Sequence, residues 1–236
     1  AGDYPASWTF TPAKGYEEYA TATGTATVTV DPKAVTVSIT PNGGTYGSVT
    51  AAAAVLSGVV DGETVPVTLT YTGTANDGTE YTGTTPPTKA GTYTITATTT
   101  NPNYTLDPKT TTADFTIAKR PATVTPDNKS KVYEEKDPEL TYKVSGVLDG
   151  ETLEGITLAR AKDENAGKYA ITATADVSAN PNYDVTFSKG TLTIEPKSIM
   201  GAKVVLGKGL IANGAEQTQT VEKVLLDGKD LPADSY

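Results

Sequence analysis

The chain has 236 residues, with 19 Lys and Arg against 28 Asp and Glu, no histidine and no cysteine. A net charge of −9 without a dense basic cluster argues against nucleic acid or an anionic membrane surface as partner. The missing Cys and His exclude disulfides, thiolate metal sites and any Ser-His-Asp or Cys-His catalytic centre, and no apolar run approaches the roughly 20 residues that span a bilayer.

In chain order, Ala1-Gly2-Asp3-Tyr4 matches Ala90-Gly91-Thr92-Tyr93 and Ala166-Gly167-Lys168-Tyr169. Residues 1–32 therefore read as the C-terminal half of a repeat, and Thr25–Val30, alternating threonine with Ala and Val, as its last strand. Residues 33–119 read as a complete unit, with strands predicted at 34–40, 54–60, 67–71, 92–99, 105–107 and 114–118. Residues 120–197 read as a second, with strands at 122–125, 140–144, 156–159, 168–175, 184–187 and 191–194. Glycine, Asp-Gly and Asn-Pro turns punctuate both. Residues 198–236 open a further unit, with strands at 202–207 and 217–226, and stop at Tyr236 as an N-terminal half.

Four recurring words set the register. Asp61-Gly-Glu-Thr64 and Asp149-Gly-Glu-Thr152 lie 88 residues apart, Tyr93 and Tyr169 lie 76 apart, Tyr104 and Tyr183 lie 79 apart, and Ile117 and Ile194 lie 77 apart. The drop of 12 implies an insertion in the first unit, expected as a surface loop at 76–89. Proline-bearing connectors, Asp31-Pro32-Lys33, Lys119-Arg120-Pro121 and Glu195-Pro196-Lys197, predict stiff joints between units. The fold expected from these patterns is all-β: tandem antiparallel β-sandwiches in an elongated array.

Lys131-Val-Tyr-Glu-Glu-Lys-Asp-Pro-Glu-Leu-Thr-Tyr-Lys-Val-Ser-Gly146, followed by Asp149-Gly-Glu-Thr-Leu153, Ala166-Gly-Lys-Tyr169, Asn182-Tyr183 and Thr191-Leu-Thr-Ile-Glu-Pro196, resembles the MBG (YDG-type) repeats of bacterial surface proteins. A glycine usually follows the first tyrosine of that family; Glu134 stands there in the second unit, while Tyr46-Gly47 keeps it in the first. The resemblance implies an immunoglobulin-like extracellular domain, strung in arrays on adhesin-like cell-surface proteins, with no enzymatic activity. No catalytic, cofactor or metal residue is assigned.

Several residues nevertheless invite a chemical reading. Tyr93 and Tyr169 head strands after a glycine, as in the tyrosine corner of Greek-key sandwiches, where the hydroxyl bonds back to nearby backbone. Glu63 and Glu151 could lend oxygens to calcium, although their Asp-Gly words and Asp227-Gly-Lys-Asp230 lack the alternating acidic spacing of a calcium loop and read better as β-turns. Glu134, Glu135, Asp137 and Glu139, near Lys129, Lys131 and Lys136, could pair for glycoside hydrolysis but read better as a solvated loop. Trp8, Phe10, Tyr16 and Tyr19 could stack a glycan. Lys129 or Lys131 with Asn182 could form an internal amide. Two functions stay open: a spacer, and an adhesive module that binds glycan or host protein. The half units at the ends add an expectation of head-to-tail self-association.

Overall fold

A computed structural model describes residues 1–232, so the expected end at Tyr236 lies outside the described residues. All regular structure there is strand, and no helix occurs among the described residues. The chain divides into two compact units, one of residues 1–125, 142–157 and 173–188, the other of 126–141, 158–172 and the residues from Lys189 onward.

In the first unit, β1 (Gly2–Phe10) and β2 (Ala22–Val30) form a hairpin of nine antiparallel pairs. Even positions of β1 put Tyr4, Ala6, Trp8 and Phe10 opposite Val28, Ala26, Gly24 and Ala22, while odd positions pair Asp3, Ser7 and Thr9 with threonines. One face is thus apolar and the other polar. The apolar face stays open to solvent, with Tyr4, Trp8, Phe10, Val28 and Val30 all about half exposed.

The next eight strands are β3 (Lys33–Thr40), β4 (Gly44–Thr45), β5 (Ala53–Ser57), β6 (Thr68–Ala75), β7 (Glu80–Gly83), β8 (Gly91–Thr98), β9 (Tyr104–Leu106) and β10 (Thr112–Ala118). They make two sheets, β4-β10-β8-β6-β7 and β5-β3-β9. Strand β3 faces β8 and β10, which closes the sandwich. Alternation along β8 buries Tyr93, Ile95 and Ala97 and leaves the intervening threonines on the other side. Val35 and Val37 meet the core from β3, and Tyr93 with Phe115 heads an aromatic cluster that reaches Tyr71 and Tyr81.

Both sheets are mixed. The antiparallel ladder read from the turns holds for β7-β6-β8-β10 and β3-β5, but β9 pairs parallel with β3 and β4 pairs parallel with β10. The 12-residue insertion also differs from the expected loop. It falls where the register placed it but folds into β7, joined to β6 through Asn76-Asp77-Gly78, because Tyr81 finds an apolar place against the Tyr93 cluster.

The same order of strand pairing returns downstream. The strands are β11 (Arg120–Pro126), β12 (Lys129–Val132), β13 (Tyr142–Ser145), β14 (Thr157–Arg160), β15 (Gly167–Thr174), β16 (Tyr183–Phe187) and β17 (Gly190–Glu195). They form sheets β13-β11-β16 and β12-β17-β15-β14, with β16 parallel to β11 and β12 parallel to β17. Ile171, Leu192 and Ile194 are buried, with Leu140 and Tyr169 packed on them. In the last stretch, β18 (Lys203–Leu206), β19 (Val221–Leu226) and β20 (Lys229–Asp230) form a three-stranded sheet. Asp227 and Gly228, both at positive φ, make the two-residue turn expected of Asp-Gly.

Candidate functional site

The tyrosine corners form as read. Tyr93 Oη donates to the carbonyl of Lys89 at 2.9 Å and Tyr169 Oη to that of Asn165 at 2.8 Å, each four residues upstream. Tyr93 is 3% exposed, so Tyr93→Phe should lower stability by about 1 kcal/mol, the usual loss for one internal hydrogen bond. Chemical denaturation checks this.

The most elaborate polar cluster joins residues far apart in sequence, all within the first compact unit. Leu148-Asp-Gly-Glu151 is a β-turn closed by Glu151 N–H to Leu148 O at 3.0 Å, with Gly150 at φ 82°. It aims the Glu151 carboxylate at two phenols. Tyr46 donates to Oε1 at 2.7 Å, and Tyr183, buried at the head of β16, donates to Oε2 while accepting from Leu148 N–H at 3.1 Å. The two rings meet edge to face with centroids 5.5 Å apart. Arg120 donates to the carbonyl of Gly146 at 2.7 Å and to that of Tyr46 at 3.4 Å. Asn182 Oδ1 accepts from Ala90 N–H at 3.0 Å, and Asn76 donates to Pro181 O at 3.3 Å. Gly47, at φ 83°, lets the Tyr46 turn lie against Leu148, where a β-carbon would come within 2.7 Å of that side chain. Asn180 anchors the loop from below by exchanging hydrogen bonds with the Glu154 backbone and donating to Asp176 O.

Charge completes the arrangement. Hydrogen bonds from Tyr183 and Tyr46 hold the Glu151 carboxyl below its ordinary range. The bond to Glu151 and burial push Tyr46 up to about 12, and burial with the same carboxylate raises Tyr183. A lowered acid stabilises above its ordinary value of 4.5 and loses that contribution as pH falls through the folded value. A raised phenol stabilises below its ordinary value of 10.0 and loses the contribution as pH climbs toward 12. The cluster should therefore hold fully between about pH 5 and 10. Thermal unfolding of wild type and Tyr46→Phe should differ most inside that window and converge outside it.

Other candidates fall differently. Lys131, on the short parallel strand β12, is buried rather than on a solvated loop, because its stem lies on the inward side of the strand while Nζ reaches Asp137 at 2.8 Å and Glu164 at 2.5 Å. Arg160 binds the same two carboxylates. The Arg160 and Lys131 bonds hold Asp137 low, and Lys131 and Arg160 likewise lower Glu164. A glycosidase needs one carboxyl raised, and an internal amide needs a neutral amine, whereas Asp137 and Glu164 raise Lys131; the surroundings oppose both reactions. Asn182 is engaged with Ala90, as described. Glu134 pairs with Lys197 at 2.9 Å. Glu63 bonds to Tyr104, so both Asp-Gly-Glu-Thr words use their glutamate on a tyrosine. Among the described residues no three acids converge as metal ligands. Trp8 and Phe10 share the open hairpin face with Tyr4, and Trp8 lies across Gly24.

Sequence reasoning missed Tyr46, Arg120, Arg160 and Glu164 as members of these clusters. Only the Tyr46-Gly47 word carried a signal.

Residues 122–193 match the MBG domain family (YGX type). No curated protein and no solved structure matches the chain.

Proposed function

From the MBG match over residues 122–193, we propose that the chain is a non-catalytic extracellular repeat region of a bacterial surface protein, a stalk or spacer that displays or supports adhesion. Its units are 1–32, 33–119, 120–197 and 198–236, arranged in an elongated series. The observation that carries this reading is the Tyr46–Glu151–Tyr183 cluster, which ties the 33–119 stretch to the 120–197 stretch by side chains each repeat type supplies. A joint of that kind suits load transfer and display, with the Glu151 carboxylate accepting from both phenol hydroxyls. No helix among the described residues is long and apolar enough to cross a membrane.

Solution scattering with a ligand screen tests the proposal. An elongated profile with no tight ligand is expected, and a compact profile or a tight ligand without one overturns it. The adhesive alternative draws on the open Tyr4, Trp8 and Phe10 face. Glycan binding that is lost in Trp8→Ala would favour it.

A further inference from the structure

Two features of the first compact unit each look like one half of something the chain elsewhere shows whole. The first is the β1–β2 hairpin. Gly2 lies opposite Val30 and Tyr4 opposite Val28, as Gly91 lies opposite Ile117 and Tyr93 opposite Phe115. In the β8–β10 pair this face is closed by β3, and Tyr93 and Ile117 are 3% and 1% exposed. Their counterparts Tyr4 and Val30 are 52% and 47% exposed.

The second feature is the Glu63–Tyr104 pair. Four hydrogen bonds of the Glu151 cluster recur there in the same order. Tyr104 donates to Glu63 as Tyr183 does to Glu151. Val60 N–H donates to Tyr104 Oη at 3.2 Å as Leu148 N–H does to Tyr183 Oη. Lys33 N–H donates to Asn103 O at 2.8 Å as Arg120 N–H does to Asn182 O at 2.9 Å. The Ala1 amine donates to Asn103 Oδ1 as Ala90 N–H does to Asn182 Oδ1. What differs is the second phenol. Glu151 Oε1 takes the Tyr46 hydroxyl, whereas no residue among those described donates to Glu63 Oε1. Val60, in the place of Leu148, is 44% exposed where Leu148 is covered by the Gly47 turn.

We propose that the hairpin face and the Glu63–Tyr104 pair form one docking surface, and that its occupant is the front half of another MBG-type unit. That half brings a sheet like β5-β3 to close over Tyr4, Trp8 and Val30, and a Tyr-Gly turn whose hydroxyl reaches Glu63 Oε1. The occupied counterpart in the same chain defines the partner: an apolar sheet face and a phenol, delivered together. The proposal rests on the reading of the chain as serial units.

The test uses the full chain preceded by a copy of residues 33–89, joined so that the copied Lys89 precedes Ala1 as the original precedes Ala90. Trp8 is the single tryptophan, so its fluorescence reads the hairpin face directly. Emission should shift to the blue, and acrylamide quenching should fall by about threefold or more as the indole leaves water. Glu63→Gln should lower the melting temperature of the extended chain clearly more than that of the unextended chain, where only the bond from Tyr104 is weakened. Unaltered quenching of Trp8 overturns the proposal, as does a Glu63→Gln effect equal in the two chains. Glu151→Gln in the same proteins is the control. If it too is silent, the joint behind the proposed function fails; if it destabilises while Glu63→Gln does not, this inference alone fails.

Discussion

Ile95→Ala is expected to destabilise the protein by about 2–5 kcal/mol, the range for large-to-small changes in a sandwich core that cannot collapse around the gap. Ile95 is fully buried on the central strand β8, opposite Tyr71 of β6 on one side and Ala113 of β10 on the other. Both neighbouring strands are held by continuous ladders, so neither can move in to fill the space of three lost carbons. Ile171 holds the matching place on β15 and is also fully buried, packed with Leu192, Ile194 and the flanking Leu140 and Tyr169. Ile171→Ala should fall in the same range. Urea unfolding measures both, and a loss under about 1 kcal/mol at either position would mean that the alternation of these strands does not define the core.

The second large effect is at Gly73. This residue, at φ 155°, lies opposite Tyr93, and a β-carbon there would sit 2.3 Å from Thr92 O, 2.7 Å from Tyr93 Cα and 2.7 Å from Tyr93 Cδ1. Two of those atoms are backbone of the adjacent strand, so relief requires prying β6 from β8. Gly73→Ala should cost about 2–4 kcal/mol, combining backbone strain with overpacking. Gly78 is the comparison. It has positive φ as well, but nothing lies within 4 Å of its added carbon, and Gly78→Ala should cost only about 1 kcal/mol. Equal losses at the two sites would show that left-handed backbone alone, and not the contact with Tyr93, dictates glycine at 73.

Much of this architecture was legible because it is local. Alternating Thr with Val, Ile and Tyr along 92–98 and 168–174 marks strands with one buried face, and the residue following each glycine word is the tyrosine whose hydroxyl folds back four residues. Asp227-Gly228 made the turn its composition demands. The parallel pairs were hidden, since β4 has two residues and β12 carries lysines that read as loop until a partner strand turns Lys131 inward. The insertion was placed by register but read as loop, because the apolar contact that makes β7 a strand comes from Tyr93, across the sheet.

The Glu151 cluster was less legible still. Its Asp-Gly-Glu-Thr and Asn-Pro-Asn-Tyr words were visible, and so was Tyr46-Gly47, yet Tyr46 and Glu151 lie 105 positions apart and no periodicity connects them. A carboxylate beside a glycine turn looks the same in sequence whether it awaits a cation or a phenol. Only the fold decides, by bringing β4 and the head of β16 to the same turn.

That cluster is where the account is most exposed to test. The protein has no cysteine, so spin labels at Thr98→Cys and Ser188→Cys are the only two in the chain and report the distance between the 33–119 and 120–197 stretches. A single narrow distance distribution is predicted for the otherwise native chain, broadening markedly when Glu151→Ala removes the carboxylate shared by Tyr46 and Tyr183. An equally narrow distribution in both proteins would contradict the claim that this cluster ties the 33–119 stretch to the 120–197 stretch.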